Sequence, residues 1–180
     1  VVAKIAQKDK ITKVEIIRSG SAAKAFKTDQ AHWNELQASA SSSAAKGLAE
    51  KRAADLAIVA QKYPDLKVDA DGIFQKVLKE GSGALVPVGA SVKVAYSGSF
   101  LDGKVFDASK LHGGPLEFRA GVGEIIPGWD KVLVTMKAGE KRLVIIPPEL
   151  AYGAAGAGGV IPPNAFLAFE IELVSFTAKK

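Results

Sequence analysis

The period of hydrophobic and polar positions changes once along this chain, near residue 68. Ahead of that point the pattern is helical: Trp33, Leu36, Ala40, Ala44 and Leu48 recur at three- and four-residue spacing and form one apolar stripe. Ala38, Ala40, Ala44, Ala45, Ala49, Ala53 and Ala54 favour helix, and Asp29 suits an N-cap. The spacing predicts helix from about Lys27 to Tyr63, either continuous or broken at Ser41-Ser42-Ser43. Tyr63-Pro64-Asp65 ends it, because a residue before proline disfavours the helical conformation. A helix with so thin a stripe buries little by itself. It reads either as a linker lying against its own domain or as a surface for a homodimer. Further upstream, Lys10 to Arg18 mixes β-branched apolar residues with charges and reads as a half-buried strand ending at Ser19-Gly20.

After residue 68 the period shortens to two. Ile73 to Leu78 is a strand candidate stopped by Gly81-Ser82-Gly83, and Ser91 to Tyr96 alternates as a strand with one buried face should. Asp102-Gly103 marks a hairpin turn. The strand begun at Val105-Phe106 resumes at Leu116 to Arg119, after an interruption at His112-Gly113-Gly114-Pro115. Trp129 to Met136 is the one short helical segment, closed by Gly139; Glu140 to Ile146 and Ala165 to Phe176 are the last strands. The expected architecture is α+β: a small antiparallel sheet wrapped around one short α-helix, preceded by the helical segment. The expected divisions are 1–22, 23–68 and 69–180.

With 180 residues, 48% hydrophobic and 24% charged, the chain can bury a real core. It has no Cys, which removes disulfides and thiolate chemistry, and its 2 His form no H-E-x-x-H pattern. No apolar run approaches the roughly 18–20 residues of a membrane helix, so no membrane partner is expected. Charge is lopsided: residues 1–68 carry 12 Lys+Arg against 7 Asp+Glu, and residues 69–180 carry 12 against 12. The basic residues are dispersed and not interleaved with aromatics, which reads as a solvated helix face. The neutral C-terminal part has no electrostatic reason to seek nucleic acid.

Candidate chemistry is concentrated in two stretches, Val122-Gly123-Glu124-Ile125-Ile126-Pro127-Gly128-Trp129 and Gly159-Val160-Ile161-Pro162-Pro163-Asn164. Apolar and aromatic side chains stand beside turn formers, with no nucleophile or metal ligand. Such residues line a dry concave pocket. The glycines from Gly153 to Gly159 are followed by no Lys-Ser/Thr, so they read as a flexible overhang and not a phosphate loop. Together with Val92 to Gly98, Gly103 to Ser109 and Ala151-Tyr152-Gly153, the series resembles the FKBP-type peptidyl-prolyl cis-trans isomerases over roughly Asp71 to Phe176. The resemblance implies a half-barrel sheet curled round one helix, rotation of X-Pro bonds in peptides and folding proteins, and no cofactor. It also implies that macrolides such as tacrolimus or rapamycin compete for the pocket.

Carried over position by position, the resemblance puts Trp129 beneath the proline ring, Tyr96, Phe106 and Phe169 in the walls, and Ile125 and Ile126 on one lip. The Ile125 N–H would bond a substrate carbonyl, with the Glu124 carbonyl in the same loop. Tyr152 would offer its hydroxyl to the substrate backbone, and Asp107 would accept from Tyr96 and face the twisting carbonyl. Val160 and Ile161 fall on the overhanging loop. Three positions depart from the pattern. His112 stands where a basic residue is frequent and is expected to be simply exposed. Leu116 replaces an aromatic and loosens the preference for the residue before proline. Ala157 stands where many members have a larger residue. The rival readings are a non-catalytic proline-peptide-binding module and a chaperone. Val1 to Ala6, with the strand after it, resembles the end of a bacterial cyclophilin, which implies that the chain is the C-terminal part of a cyclophilin–FKBP fusion.

Overall fold

The computed structural model of the chain describes residues 30–178, so the strand expected at 10–18, the cyclophilin-like stretch 1–22 and the Asp29 cap lie outside it. Helix α1 (Gln30–Lys62) runs for 33 residues without interruption. The serine run does not break it: serine costs only a fraction of a kcal/mol against alanine, and alanines flank it on both sides.

Two compact units are distinguished, 1–46 and 47–180. In the first, the described residues are the N-terminal half of α1, where Gln30 Nε2 donates to Asn34 Oδ1 one turn on at 2.8 Å. Trp33 is 56% exposed, and Leu36 is exposed beside it.

The second unit holds the rest of α1 and the sheet. Its strands are β1 (Lys67–Val68), β2 (Phe74–Lys79), β3 (Ser82–Leu85), β4 (Ser91–Phe100), β5 (Val105–Ala108), β6 (Leu116–Arg119), β7 (Lys137–Ala138), β8 (Lys141–Ile146) and β9 (Leu167–Thr177). Helix α2 (Pro127–Leu133) precedes β7. The main sheet runs β1-β2-β8-β9-β4, all antiparallel, with β5 and β6 following one another along the free edge of β4. The interruption at 113–115 is thus an excursion of one interrupted strand. Ser109–His112 form a 3-10 turn at its start, closed by Gly113 in the left-handed region at φ 83°. Two ladders have no counterpart in the hydropathy pattern: β1 with β2, whose first strand is two residues long, and β3 with β7, because Gly81 to Gly83 reads as a turn.

Alternation along β4 turns Val92, Val94 and Gly98 inward, where α2 lies across the sheet with Trp129, Val132 and Leu133 buried. The approach is close. A Cβ on Gly128 would stand 2.5 Å from Ile146 Cγ2, so only glycine lets α2 reach β8. The opposite face of the sheet is covered too. Val59 of α1 is 1% exposed and clusters with Leu101, Ile145, Phe166 and Ala168. Lys62 Nζ donates to the Leu101 carbonyl at 2.7 Å and Lys51 Nζ to the Asn164 carbonyl at 2.8 Å, while Arg52 pairs with Glu149. Among its described residues α1 therefore buries one side chain, Val59, and the 33/36/48 stripe stays exposed.

Candidate active site

The centre of the site is an array of rings on the concave face. Trp129, 2% exposed, enters from α2 and meets Tyr96 of β4 edge-on at 5.0 Å and Phe169 of β9 at 5.3 Å, with interplanar angles of 79° and 87°. Phe106 of β5 stands 5.7 Å from Phe169, again near-perpendicular. These are the edge-to-face arrangements aromatic quadrupoles favour. Phe100, 5.0 Å from Phe106, and Phe118, 6.0 Å from Trp129, complete the array. Sequence reasoning named neither, although both fall on the inward positions of their strands. Room for the rings is made at Gly98, where a Cβ would lie 2.8 Å from both Phe106 and Phe169.

One carboxylate borders this array. Gly98 is the register partner of Asp107, which makes Tyr96 its diagonal neighbour on the same face. The Tyr96 hydroxyl donates to Asp107 Oδ2 at 2.7 Å, and the Ala108 N–H donates to Oδ1 at 2.8 Å. His112 Nε2 lies 2.7 Å from the same Oδ1, so this residue, expected to be simply exposed, is in contact with the carboxylate. Partial desolvation pushes the Asp107 pKa up, but the hydrogen bonds from Tyr96, His112 and Ala108 outweigh it and hold the carboxyl below its ordinary value. Burial, then the bond to Asp107 and its charge, raise the Tyr96 phenol strongly; burial and the Asp107 charge also raise Tyr152. Tyr152 and Asp107 thus share one electrostatic neighbourhood. Buried Ser109 pins the strand here, accepting from the Tyr96 N–H at 3.1 Å.

The loop carrying Glu124, Ile125 and Ile126 is held from both sides. Asp130 Oδ1 accepts from the Gly121 N–H and Oδ2 from the Gly123 N–H, each at 2.7 Å. Glu124 accepts the Arg119 N–H at 2.8 Å and its Nε–H at 2.6 Å, and these bonds with the guanidinium charge lower the Glu124 pKa. Asp130 is absent from the sequence-based expectation; its signal there is an acidic residue in the first turn of a helix. Ile125 and Ile126 are half-buried against the core, and Trp129 donates its backbone N–H to the Ile126 carbonyl at 3.0 Å.

The segment 153–164 is closed by its own backbone. Ala157 and Ile161 exchange hydrogen bonds at 3.0 and 2.9 Å, and the Asn164 N–H reaches back to the Gly153 carbonyl at 2.9 Å. Ile161 is buried against the ring array's core, and Val160 and Leu116 are exposed. Of the residues expected at the site, Trp129, Phe169 and Ile161 lie in one core cluster, and Tyr96, Phe106, Ile125 and Ile126 pack against it. A recess of about 650 Å³ bordered by Gln75, Thr135 and Arg142 shares no residue with the ring array. The Arg142 guanidinium there already donates to Glu140, Gln75 and Thr135, which leaves it a structural role.

This geometry coincides with a family match. A model described as FKBP-type peptidyl-prolyl cis-trans isomerase covers residues 84–174, more than half of the chain. FK506-binding protein 1 of Dictyostelium discoideum is 48% identical over 105 residues, spanning 58% of this chain and 98% of its own length. The chain belongs to the FKBP-type peptidyl-prolyl cis-trans isomerases. The FKBP-type isomerase FkpA of Escherichia coli K12 is 40% identical over 139 residues, 73% of this chain and half of FkpA. The FkpA crystal structure superposes with a TM-score of 0.65 at 36% identity, over 82% of this chain and 69% of that one. An isomerase from Pseudomonas syringae gives 0.61 at 38% identity, over 69% and 92%. The FKBP-like sheet and short helix, and the activity read from the motifs, agree with these relatives.

Proposed function

We propose that this FKBP-type isomerase turns X-Pro bonds of peptides and folding proteins by holding the twisted amide against the ring array, without a cofactor. The observation that carries the reading is the Tyr96–Asp107 hydrogen bond at the edge of a cluster floored by Trp129. Rotation faces a barrier of about 18–20 kcal/mol and breaks no bond. A millionfold acceleration asks for about 8 kcal/mol of preference for the twisted state. Twisting cancels amide resonance and its charge separation, so an apolar surround favours it while a few fixed polar groups hold the chain.

In this reading the proline ring stacks on Trp129 between Tyr96, Phe106 and Phe169. Ile125 offers its N–H beside the Glu124 carbonyl, with Ile126 completing the lip. Tyr152 bonds the substrate backbone, Asp107 faces the turning carbonyl, and Val160 and Ile161 overhang. Leu116, exposed on β6, borders the residue before proline. The FK506-binding names of relatives support macrolides such as tacrolimus and rapamycin as competing ligands.

Residues 69–180 form the isomerase domain in this account. The exposed Trp33 and Leu36 favour a second role for residues 23–68, as the surface of a homodimer, which sedimentation at rising concentration would measure. The reading of residues 1–22 as a cyclophilin-like end is supported by sequence pattern alone. Isomerisation of a proline tetrapeptide with and without rapamycin tests the main proposal. Turnover that rapamycin abolishes is expected; tight macrolide binding with no turnover would favour the binding-module reading.

A further inference from the structure

We propose that His112 is a positioning residue for Asp107 and makes isomerisation pH-dependent across the range in which imidazole side chains gain a proton. The inference rests on the isomerase reading of the site. The fold brings the two residues together through the 3-10 turn Ser109–His112. Gly113 in its left-handed conformation closes this turn by donating to the Ser109 carbonyl, and the chain is thereby carried back over the end of β5. His112 Nε2 then sits 2.7 Å from Asp107 Oδ1, while Tyr96 holds Oδ2. A carboxylate's terminal torsion is broad, so the groups that bond it decide where its oxygens point.

Asp107 and the phenols beside it keep one charge state between pH 5 and 8. Asp107 is held below the ordinary carboxylate range and is ionised throughout. The phenols of Tyr96, from β4, and Tyr152, from the overhanging loop, are both raised and stay neutral. Lys110, on the same turn, lines a groove that Tyr96, Ala108 and Ser109 share with Lys141, Glu170 and Glu172. Imidazole is the side chain that ordinarily titrates in this interval. Protonated, both of its nitrogens donate, and a charge-assisted bond is about twice as strong as a neutral one. Neutral, one of its two tautomers turns a lone pair toward the carboxylate oxygen. Protonation therefore tightens the hold on Oδ1, which the Ala108 N–H shares, and its loss leaves the carboxylate to the weaker neutral bonds from Ala108 and Tyr96. The His112 side chain is 62% exposed, so solvent screening keeps the effect to several-fold, and substitutions there do not threaten the fold.

Exchange NMR of a proline tetrapeptide needs no coupling protease and gives catalysed rates from pH 5 to 8.5 for wild type, His112→Arg and His112→Gln. In wild type kcat should fall about three- to tenfold as pH rises, with KM little changed. His112→Arg should hold the low-pH rate throughout, and His112→Gln should be flat and slower. A flat wild-type profile, or a slope that survives in both variants, overturns the proposal. Absence of catalysed exchange at every pH would contradict the isomerase reading instead. The pairing is then read from the Asp107 carboxyl carbon shift: a step between pH 5 and 8 that His112→Gln removes supports it, and no step overturns it.

Discussion

Tyr96 and Asp107 are joined across paired strands β4 and β5 by a 2.7 Å hydrogen bond, with the Tyr96 ring standing edge-on to Trp129. One residue thus ties the polar edge of the site to its aromatic floor. Because the folded state lowers the Asp107 pKa, the carboxyl contributes stability above its unfolded value of about 3.9 and loses it as pH falls through the folded value. Carboxyl carbon NMR should show Asp107 still ionised where exposed aspartates are half-protonated. In Asp107→Asn, acid denaturation below about pH 4 should be less steep. The change is modest, since Asp107 is 37% exposed.

Gly98→Ala places a methyl group 2.8 Å from Phe106 and Phe169, which must both shift. Overpacking of this kind costs about 1–3 kcal/mol. Chemical denaturation should register that loss, and peptide affinity should fall with it because the displaced rings are pocket walls.

Asp130→Ala strips the acceptor from the Gly121 and Gly123 N–H groups. Bonds to a charged acceptor contribute about 1.5–3 kcal/mol each, discounted here by solvent access. KM for a tetrapeptide should rise about tenfold with a smaller change in kcat, because the loop of Glu124 to Ile126 loses its anchor while Asp107 and Tyr96 stay in place.

Val59 fills the cluster with Leu101, Ile145, Phe166 and Ala168. Val59→Ala should lower stability by about 1–3 kcal/mol in urea titration. A chain cut at residue 69 exposes that whole cluster and should be less stable than one beginning at Gly47, which keeps Val59, Lys51 and Arg52.

The strands were legible where alternation met turn residues, as in β4 with Asp102-Gly103 after it, and the site was legible because its rings come from separated motifs in a fixed order. Other features were not. The stripe from Trp33 to Leu48 has the right period, but among the described residues α1 is buried at Val59, a choice made by the sheet's outer face and not by the helix. The β3–β7 ladder is hidden because glycines serve both turns and short edge pairings. The His112 contact depends on a turn closed by Gly113, whose geometry no hydropathy pattern encodes.

The most direct test of the account is a double-mutant cycle on kcat/KM for a proline tetrapeptide, using Tyr96→Phe, Asp107→Asn and the pair. If Tyr96 acts through Asp107, each single change lowers efficiency about tenfold, as expected for losing a bond of about 1.5 kcal/mol, and the double variant is little worse than Asp107→Asn. Full turnover in Asp107→Asn, or losses that simply multiply, would contradict the assignment of this pair to the centre of the site.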